Sequence, residues 1–375
     1  MAERPAERGG IEIRRLYKIF GENARAYLEP VERGMSKAEL MTRHRHVLGL
    51  RDVNIHMKPG CIQVIMGLSG SGKSTLIRHI NRLIDPTAGE VWVDGVDVVK
   101  MNQSELRQFR RRHTAMVFQK FALLPHRTVL DNAVFGLEVK GVPRPAQVES
   151  AMRWLARVGL AGFEDRYPNQ LSGGMQQRVG LARALANDAP IMLMDEAFSA
   201  LDPLIRVDMQ TVLLDLQKEI KKTIVFITHD LDEALRLGDA IAILRDGEVI
   251  QQGTNQDIVL RPADDYVASF VKEVNRGRVI KIEAIMGPAK ESAEAPKLAI
   301  ASSAVLEDAA RLLSGANQTA LAVLDGTGRR VGHVDIQRIL SAMVTPVAGG
   351  GRERRESSSP LPDDLRPQAE TATRG

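Results

Sequence analysis

Three short apolar runs set the frame of the chain. Ile62 to Met66, Ile191 to Met194 and Ile224 to Thr228 are apolar nearly throughout, the pattern of strands buried on both faces of a parallel sheet. Two other segments alternate instead. IEIRRLYKIF, residues 11 to 20, reads as a strand running into a turn at Gly21, and Leu48 to Gly60 reads as a second strand closed by a Pro-Gly turn. Between them lies an insertion, residues 21 to 47, in which Ser36 and Glu39 stand at capping-box spacing and predict a short helix. A helical pattern starts at Thr75, and residues 136 to 170 are mostly helical, so a helical arm is expected to interrupt a mainly parallel sheet.

Beyond about residue 278 the pattern becomes finer. It predicts a helix near Val305 to Leu313, strands at Ala320 to Leu324 and Val331 to Val334 joined by a DGTG turn, and a closing helix, a βαββα-like unit. Residues 347 to 375 are polar and rich in Gly, Ser, Pro and charge. Such a stretch buries too little apolar area to offset its ordering entropy, and disorder is the expectation.

Composition narrows the picture a little. The 375 residues carry 51 Lys and Arg against 47 Asp and Glu, and a balance of +4 spread along the chain calls for no nucleic-acid partner. Cys61 is the single cysteine, which rules out an intrachain disulfide and a cysteine-rich metal site. No apolar run approaches the ~18 residues that span a bilayer, and the start MAERPAERGG lacks the apolar core of a signal peptide. The chain is therefore expected to stay in the cytoplasm, with any role in transport peripheral to partner chains that supply the pore.

The chemistry concentrates at the ends of the apolar runs. Gly67 to Ser74 spells GxxxxGKS after a strand and before a helix. In that setting Gly67, Ser69, Gly70, Ser71 and Gly72 form a cradle whose backbone N–H groups face phosphate oxygens, and the helix offers its positive end. Lys73 would bridge the β- and γ-phosphates, Ser74 would ligate Mg²⁺, and Thr75 would hydrogen-bond the α-phosphate. This much says only nucleotide. Asp195 and Glu196 close the run Ile191 to Met194, one carboxylate suited to organising Mg²⁺ and the next to polarising water. Ser172, Gly173 and Gly174 open a helix in LSGGMQQR and offer a hydroxyl and bare N–H groups to a second anion. His229 follows the third run, where its imidazole would donate toward a γ-phosphate, and Gln119 follows Ala115 to Phe118, within reach of Mg²⁺ or the attacking water.

Taken in order, Gly67 to Ser74, Gln119, LSGGMQQR, MDEAFSALD and THD resemble the motif series of ABC-transporter ATPases, over roughly residues 9 to 277. The resemblance implies an α/β P-loop cassette: a mainly parallel sheet, an antiparallel β subdomain, and a helical arm and permease-contact region at about 120 to 170. It also implies ATP and Mg²⁺ held between two copies of the chain. Lys73, Gln119, Asp195, Glu196 and His229 would come from one copy and Ser172 and Gly174 from the other, with Ser199 to Asp202 coupling the two sites. An aromatic near the domain start would stack on adenine; Phe20 is the first choice and Tyr17 the second, against the competing reading of a core position.

LYKIFGE, the 21 to 47 insertion, IMGLSGSGKST, VFQKFALLPHRTVLDN and MDEAFSALDPLIR look like the ATPases of glycine betaine/proline importers, and Met175 agrees with versions of the signature in that family. That likeness implies a homodimer on two transmembrane permease subunits at the cytoplasmic face of the cell membrane, served from outside by a solute-binding protein. Phe121 to His126 would line the groove that receives a permease helix. Residues 278 to 346 resemble one CBS repeat, with Arg338 where nucleotide-binding repeats often place an acidic ribose ligand; dimerisation is the plainer role. A small-molecule P-loop kinase would lack LSGGMQQR, and a DNA- or ribosome-directed ABC protein would usually show a coiled coil or two cassettes.

Overall fold

The computed structural model describes residues 9–119, 121–289, 296, 298–316 and 318–344. The stretch 347 to 375, expected to be disordered, lies outside the described residues.

The elements follow the chain in this order. β1 (Ile11–Phe20) leads through the insertion helices α1 (Leu28–Glu32) and α2 (Lys37–His44) to β2 (Val47–Met57), then β3 (Ile62–Met66), α3 (Lys73–Ile80), β4 (Ala88–Val93) and β5 (Val96–Asp97). Next come α4 (Gln103–His113), β6 (Thr114–Phe118), α5 (Val129–Val139), α6 (Arg144–Arg157), α7 (Gly173–Ala186), β7 (Ile191–Asp195) and α8 (Pro203–Ile220). β8 (Thr223–Thr228), α9 (Leu231–Leu237), β9 (Ala240–Arg245) and β10 (Glu248–Gly253) complete the central layer. α10 (Asn255–Leu260), α11 (Asp265–Val271) and α12 (Arg276–Val279) lead to β11 (Gly287–Pro288), β12 (Ala299–Ala301), α13 (Leu306–Ser314), β13 (Ala320–Leu324), β14 (Arg330–Asp335) and α14 (Ile336–Met343).

The central sheet has the order β10-β9-β3-β8-β7-β6, with every pairing from β9 to β6 parallel and β10 antiparallel at one edge. Period-two alternation divides each buried strand between two cores. Val64, Met66, Met192, Met194, Ile224 and Phe226 face the layer that holds the helical arm. Ile65, Ile191, Leu193, Val225 and Ile227 face α3 and the antiparallel sheet β2-β1-β4-β5. The runs lack polar alternation because both faces are covered.

The insertion is built as its caps direct. Ser36 accepts from Glu39 N while the Glu39 carboxylate accepts from Ser36 N at 3.0 Å, a closed capping box that starts α2 at Lys37. The helix expected from Thr75 begins two residues earlier, at Lys73. α5, α6 and α7 form the arm, and Asn132, fully buried, holds the loop that precedes them. Its Nδ2 donates to the carbonyls of Leu124, Arg127 and Thr128 at 2.9–3.1 Å, and its Oδ1 accepts from Leu124 N at 2.8 Å.

β11, β14, β13 and β12 form a third sheet, and the unit from β12 to α14 has the expected βαββα order. It is not a separate body: Leu306, Leu321, Val334 and Ile339 belong to the same apolar cluster as the helical arm. Arg276, 6% exposed, joins the two parts by donating to Ala342 O at 2.7 Å and Val259 O at 3.1 Å.

His79 on α3 gives a stability prediction. It is 1% exposed, its Nδ1 lies 2.7 Å from Thr75 O, and burial pushes its pKa down to about 4 from 6.5. Below pH 6.5 the unfolded chain takes up a proton that the folded chain refuses, so this group costs stability as pH falls from 6.5 toward 4. The cost reaches roughly 3 kcal/mol at most. His79→Gln should flatten that part of the profile in urea unfolding at pH 7, 5.5 and 4; an unchanged profile would assign the acid sensitivity elsewhere.

Candidate nucleotide-binding and hydrolysis site

The parallel register fixes the site. Phe118 lies opposite Asp195, Asp195 opposite Ile227, and Met66 opposite Thr228. The residues that follow these strands therefore emerge side by side at the carboxyl edge of the sheet, where open α/β sheets bind ligands. Gly67 opens the cradle, Gln119 follows β6, Glu196 follows β7 and His229 follows β8.

The cradle turns through Gly67, Gly70 and Gly72 at φ of 152°, 78° and 102°. A Cβ on Gly67 would stand 2.3 Å from Leu244 O, and one on Gly72 2.6 Å from Gly49 O, so neither position admits a side chain. Ser69 is exposed at the rim and Ser71 is buried beneath it. Lys73, 4% exposed, donates to Gly67 O at 2.8 Å and Leu68 O at 3.0 Å, and its Nζ lies 3.8 Å from Glu196 Oε1. Burial pushes the Lys73 ammonium below its ordinary value, against the pull of Glu196 and Asp195. Thr75 sits half-buried on the first turn of α3.

Ser74 Oγ donates to Asp195 Oδ1 at 2.8 Å. Gln119 Nε2 donates to Glu196 Oε2 at 3.2 Å and Ser199 Oγ at 3.1 Å, and His229 Nδ1 lies 3.8 Å from Glu196 Oε2. Glu196 has φ 47°, in the left-handed region, and its carbonyl accepts from Ser199 Oγ at 2.9 Å and Ser199 N at 3.2 Å. A non-glycine residue held there costs about 1–3 kcal/mol, and the tight turn points the carboxylate at Gln119 and His229. Ser74, Asp195 and Gln119 supply hard oxygens of the kind Mg²⁺ accepts alongside nucleotide phosphates. Among the described residues no cluster of three or more His, Cys, Asp or Glu offers a different metal site.

Ser172, Gly173 and Gly174 stand apart from this group. Ser172 Oγ accepts from Met175 N at 3.3 Å and caps α7, with Ser172 and Gly173 exposed. No hydrogen bond or ion pair joins them to the cradle among the described residues. Asp202 is likewise exposed, and its side chain makes no cap bond to α8. Phe20 is 38% exposed and its ring lies against Gly49, next to Gly72 of the cradle. Tyr17, 5% exposed, packs in the small core under the insertion.

Sequence reasoning passed over several neighbours. Arg78 lies 3.3 Å from Asp195 Oδ2; it stands four residues after Ser74 on α3, and that helical spacing was the available signal. Arg183 donates to Ala122 O at 2.7 Å and Phe121 O at 3.3 Å, holding two successive residues with φ of 49° and 38°. The Phe121 to His126 loop is thus clamped at one end by Arg183 and at the other by Asn132. Arg338 donates to Ile285 O at 3.1 Å and is engaged within the C-terminal unit.

A P-loop cradle, an acid pair at a strand end and a detached serine-glycine helix tip on this sheet define an ATP-binding cassette. The family model for ABC transporters matches residues 50–199. The glycine betaine transport ATP-binding protein OpuAA of Bacillus subtilis is 51% identical over 276 residues, which cover 74% of this chain and 66% of that protein. The trimethylamine N-oxide transport system ATP-binding protein TmoW of Pelagibacter ubique is 43% identical over 330 residues, 88% of this chain and 96% of that protein. A solved dimer, the ATP-binding cassette MJ0796 in a post-hydrolysis state with ADP and Pi, aligns with a TM-score of 0.56 at 34% identity, covering 65% of this chain and 98% of that one. The chain belongs to the ATP-binding proteins of ABC transporters. Among its described residues no helix is long and apolar enough to cross a membrane.

Proposed function

We propose that this chain is the ATP-hydrolysing subunit that powers import of glycine betaine or proline-type compatible solutes through a membrane permease. The observation that carries the enzymatic half is the meeting of Ser74 with Asp195, and of Gln119 and His229 with Glu196, beside one glycine cradle. The choice of solute rests on likeness to named transporters.

In this reading the cradle and Lys73 hold the β- and γ-phosphates, Thr75 bonds the α-phosphate, and Phe20 stacks on adenine. Ser74, Asp195 and Gln119 hold a Mg²⁺ ion, which when bound neutralises charge on the phosphate oxygens. Glu196 orients the attacking water and accepts its proton, while His229 donates a hydrogen bond to the terminal phosphate. Ser172, Gly173 and Gly174 have no partner on their own cradle, which fits a role at the cradle of a second copy, with Ser199 to Asp202 running between the two sites. ATP closes the head-to-tail pair and hydrolysis reopens it, driving two permease subunits between inward-facing and outward-facing states. The clamped loop from Phe121 to His126 receives a permease helix, and the CBS-like unit pairs with its twin. The assembly sits peripherally on the cytoplasmic face of the inner membrane, and an external binding protein delivers the solute to the permease.

A second reading, trimethylamine N-oxide uptake, is favoured by length. The alignment of 330 residues with a trimethylamine N-oxide system protein takes in part of the C-terminal unit, whereas the betaine relative is matched over 66% of its length. Reconstitution with the permease that co-purifies with this chain separates the two. ATPase activity stimulated by glycine betaine or proline supports the first solute class, and stimulation by trimethylamine N-oxide alone supports the second. No response to either class would overturn both solute assignments.

A further inference from the structure

The insertion between β1 and β2 has no part in the mechanism above, yet it reaches the cradle. Lys37, the first residue of α2, places its Nζ 3.3 Å from Gly70 O and 3.3 Å from Asp246 Oδ1. Its position is set from three sides. The capping box fixes where α2 starts, and the Arg51 guanidinium donates to Met35 O while pairing with Glu248 at 3.0 Å. Tyr27 packs on His46 with ring centroids 4.3 Å apart, and Leu40 is fully buried in the core beneath.

Beside Lys37 lies a cavity of about 520 Å³, lined in part by Met41, Val47, Arg51 and Asp246. That volume is within the ~300–1,000 Å³ range of small-ligand sites. Its relation to Phe20 follows from strand register. Val47 pairs directly with Phe20 across the antiparallel β1–β2 ladder, so the two side chains share a face, as does Gly49 two residues on. The Phe20 ring rests on Gly49, and the Gly49 carbonyl borders Gly72 of the cradle. Phe20, Val47 and Met41, exposed by 38%, 38% and 47%, are thus linked stepwise between the phosphate cradle and the insertion helix, Phe20 to Val47 as ladder partners and Val47 to Met41 as lining of one cavity.

We propose that α2 is the outer wall of the purine pocket: Met41 and Val47 extend the Phe20 surface under the base of ATP, and Lys37 positions the Gly70 edge of the cradle. The proposal rests on the reading of Gly67 to Thr75 and Phe20 as the ATP site. Shielding an aromatic base from water on a second side is worth affinity without changing the chemistry at the terminal phosphate. The insertion would then set how tightly, and with what base preference, the cassette takes its nucleotide.

Equilibrium titration of the full-length protein with MgATP and with inorganic triphosphate, which has no base, tests this. Met41→Ser should weaken MgATP binding by about 5- to 20-fold and leave triphosphate binding unmoved, and Met41→Leu should restore ATP affinity. Lys37→Ala should raise KM for ATP while kcat at saturation is retained. ATP affinity in Met41→Ser equal to the parent protein overturns the wall. Lys73→Ala in the same titration keeps the two readings apart: retention of both ligands there would sink the phosphate site itself, whereas loss of both with Met41→Ser indifferent would sink only the wall.

Discussion

Glu196→Gln should bind ATP as the parent does and lose turnover by about 10²–10⁴-fold, the usual worth of a positioned general base. The substitution keeps the side chain's length and still offers Gln119 Nε2 an oxygen to replace the one it meets at 3.2 Å. The cradle, Lys73 and the Ser74–Asp195 bond are untouched. What disappears is the proton acceptor, so the nucleotide is held but not cleaved. If two copies close around ATP, the arrested variant should accumulate as a dimer in sedimentation with MgATP and return to monomer without it. Normal hydrolysis by this variant would remove Glu196 from the base role. A strictly monomeric ATP-bound form would contradict the shared site.

Lys73→Ala should fail one step earlier. The ammonium is buried and makes two carbonyl bonds, at 2.8 and 3.0 Å, inside the loop that would surround the phosphates. Bonds from a charged donor contribute about 1.5–3 kcal/mol each, so losing the contact to the phosphates should weaken ATP binding by roughly 10- to 100-fold. Titration calorimetry reads this directly, and unchanged affinity would refute the assignment. The two variants separate binding from chemistry. One weakens the complex, and the other preserves it unreacted.

The central layer was legible because its strands are covered on both faces. Ile191 to Met194 and Ile224 to Thr228 carry no polar alternation, and the functional side chains come directly after them. Parallel register did the rest, since strands ending at one level bring Gln119, Glu196 and His229 together. α4 escaped notice. Its sequence QSELRQFRRRH is dominated by charge, and only Leu106 and Phe109 are buried, too few to produce a helical period. The β4–β5 hairpin was missed for a related reason, since β5 is only two residues long.

At the site, residues with a motif around them could be read and those acting through backbone carbonyls could not. Arg183 and Lys37 bind main-chain oxygens of loops distant in sequence, and Asn132 those of the loop just before its own helix, contacts that leave no pattern in the residues they serve. Which of Phe20 and Tyr17 is exposed also needed coordinates. The register irregularities of β1 between Ile13 and Ile19 break the simple alternation that would have told inward from outward positions.

The Arg276 guanidinium, bonded at once to Val259 O and Ala342 O, bears on how the last sheet can influence the rest. A bead on a string can move without its neighbour noticing, but here the final helix and α10 share one buried cation and one oily seam. A shift of the far end therefore has a direct route to the near end, through contacts that do not depend on the chain running between them.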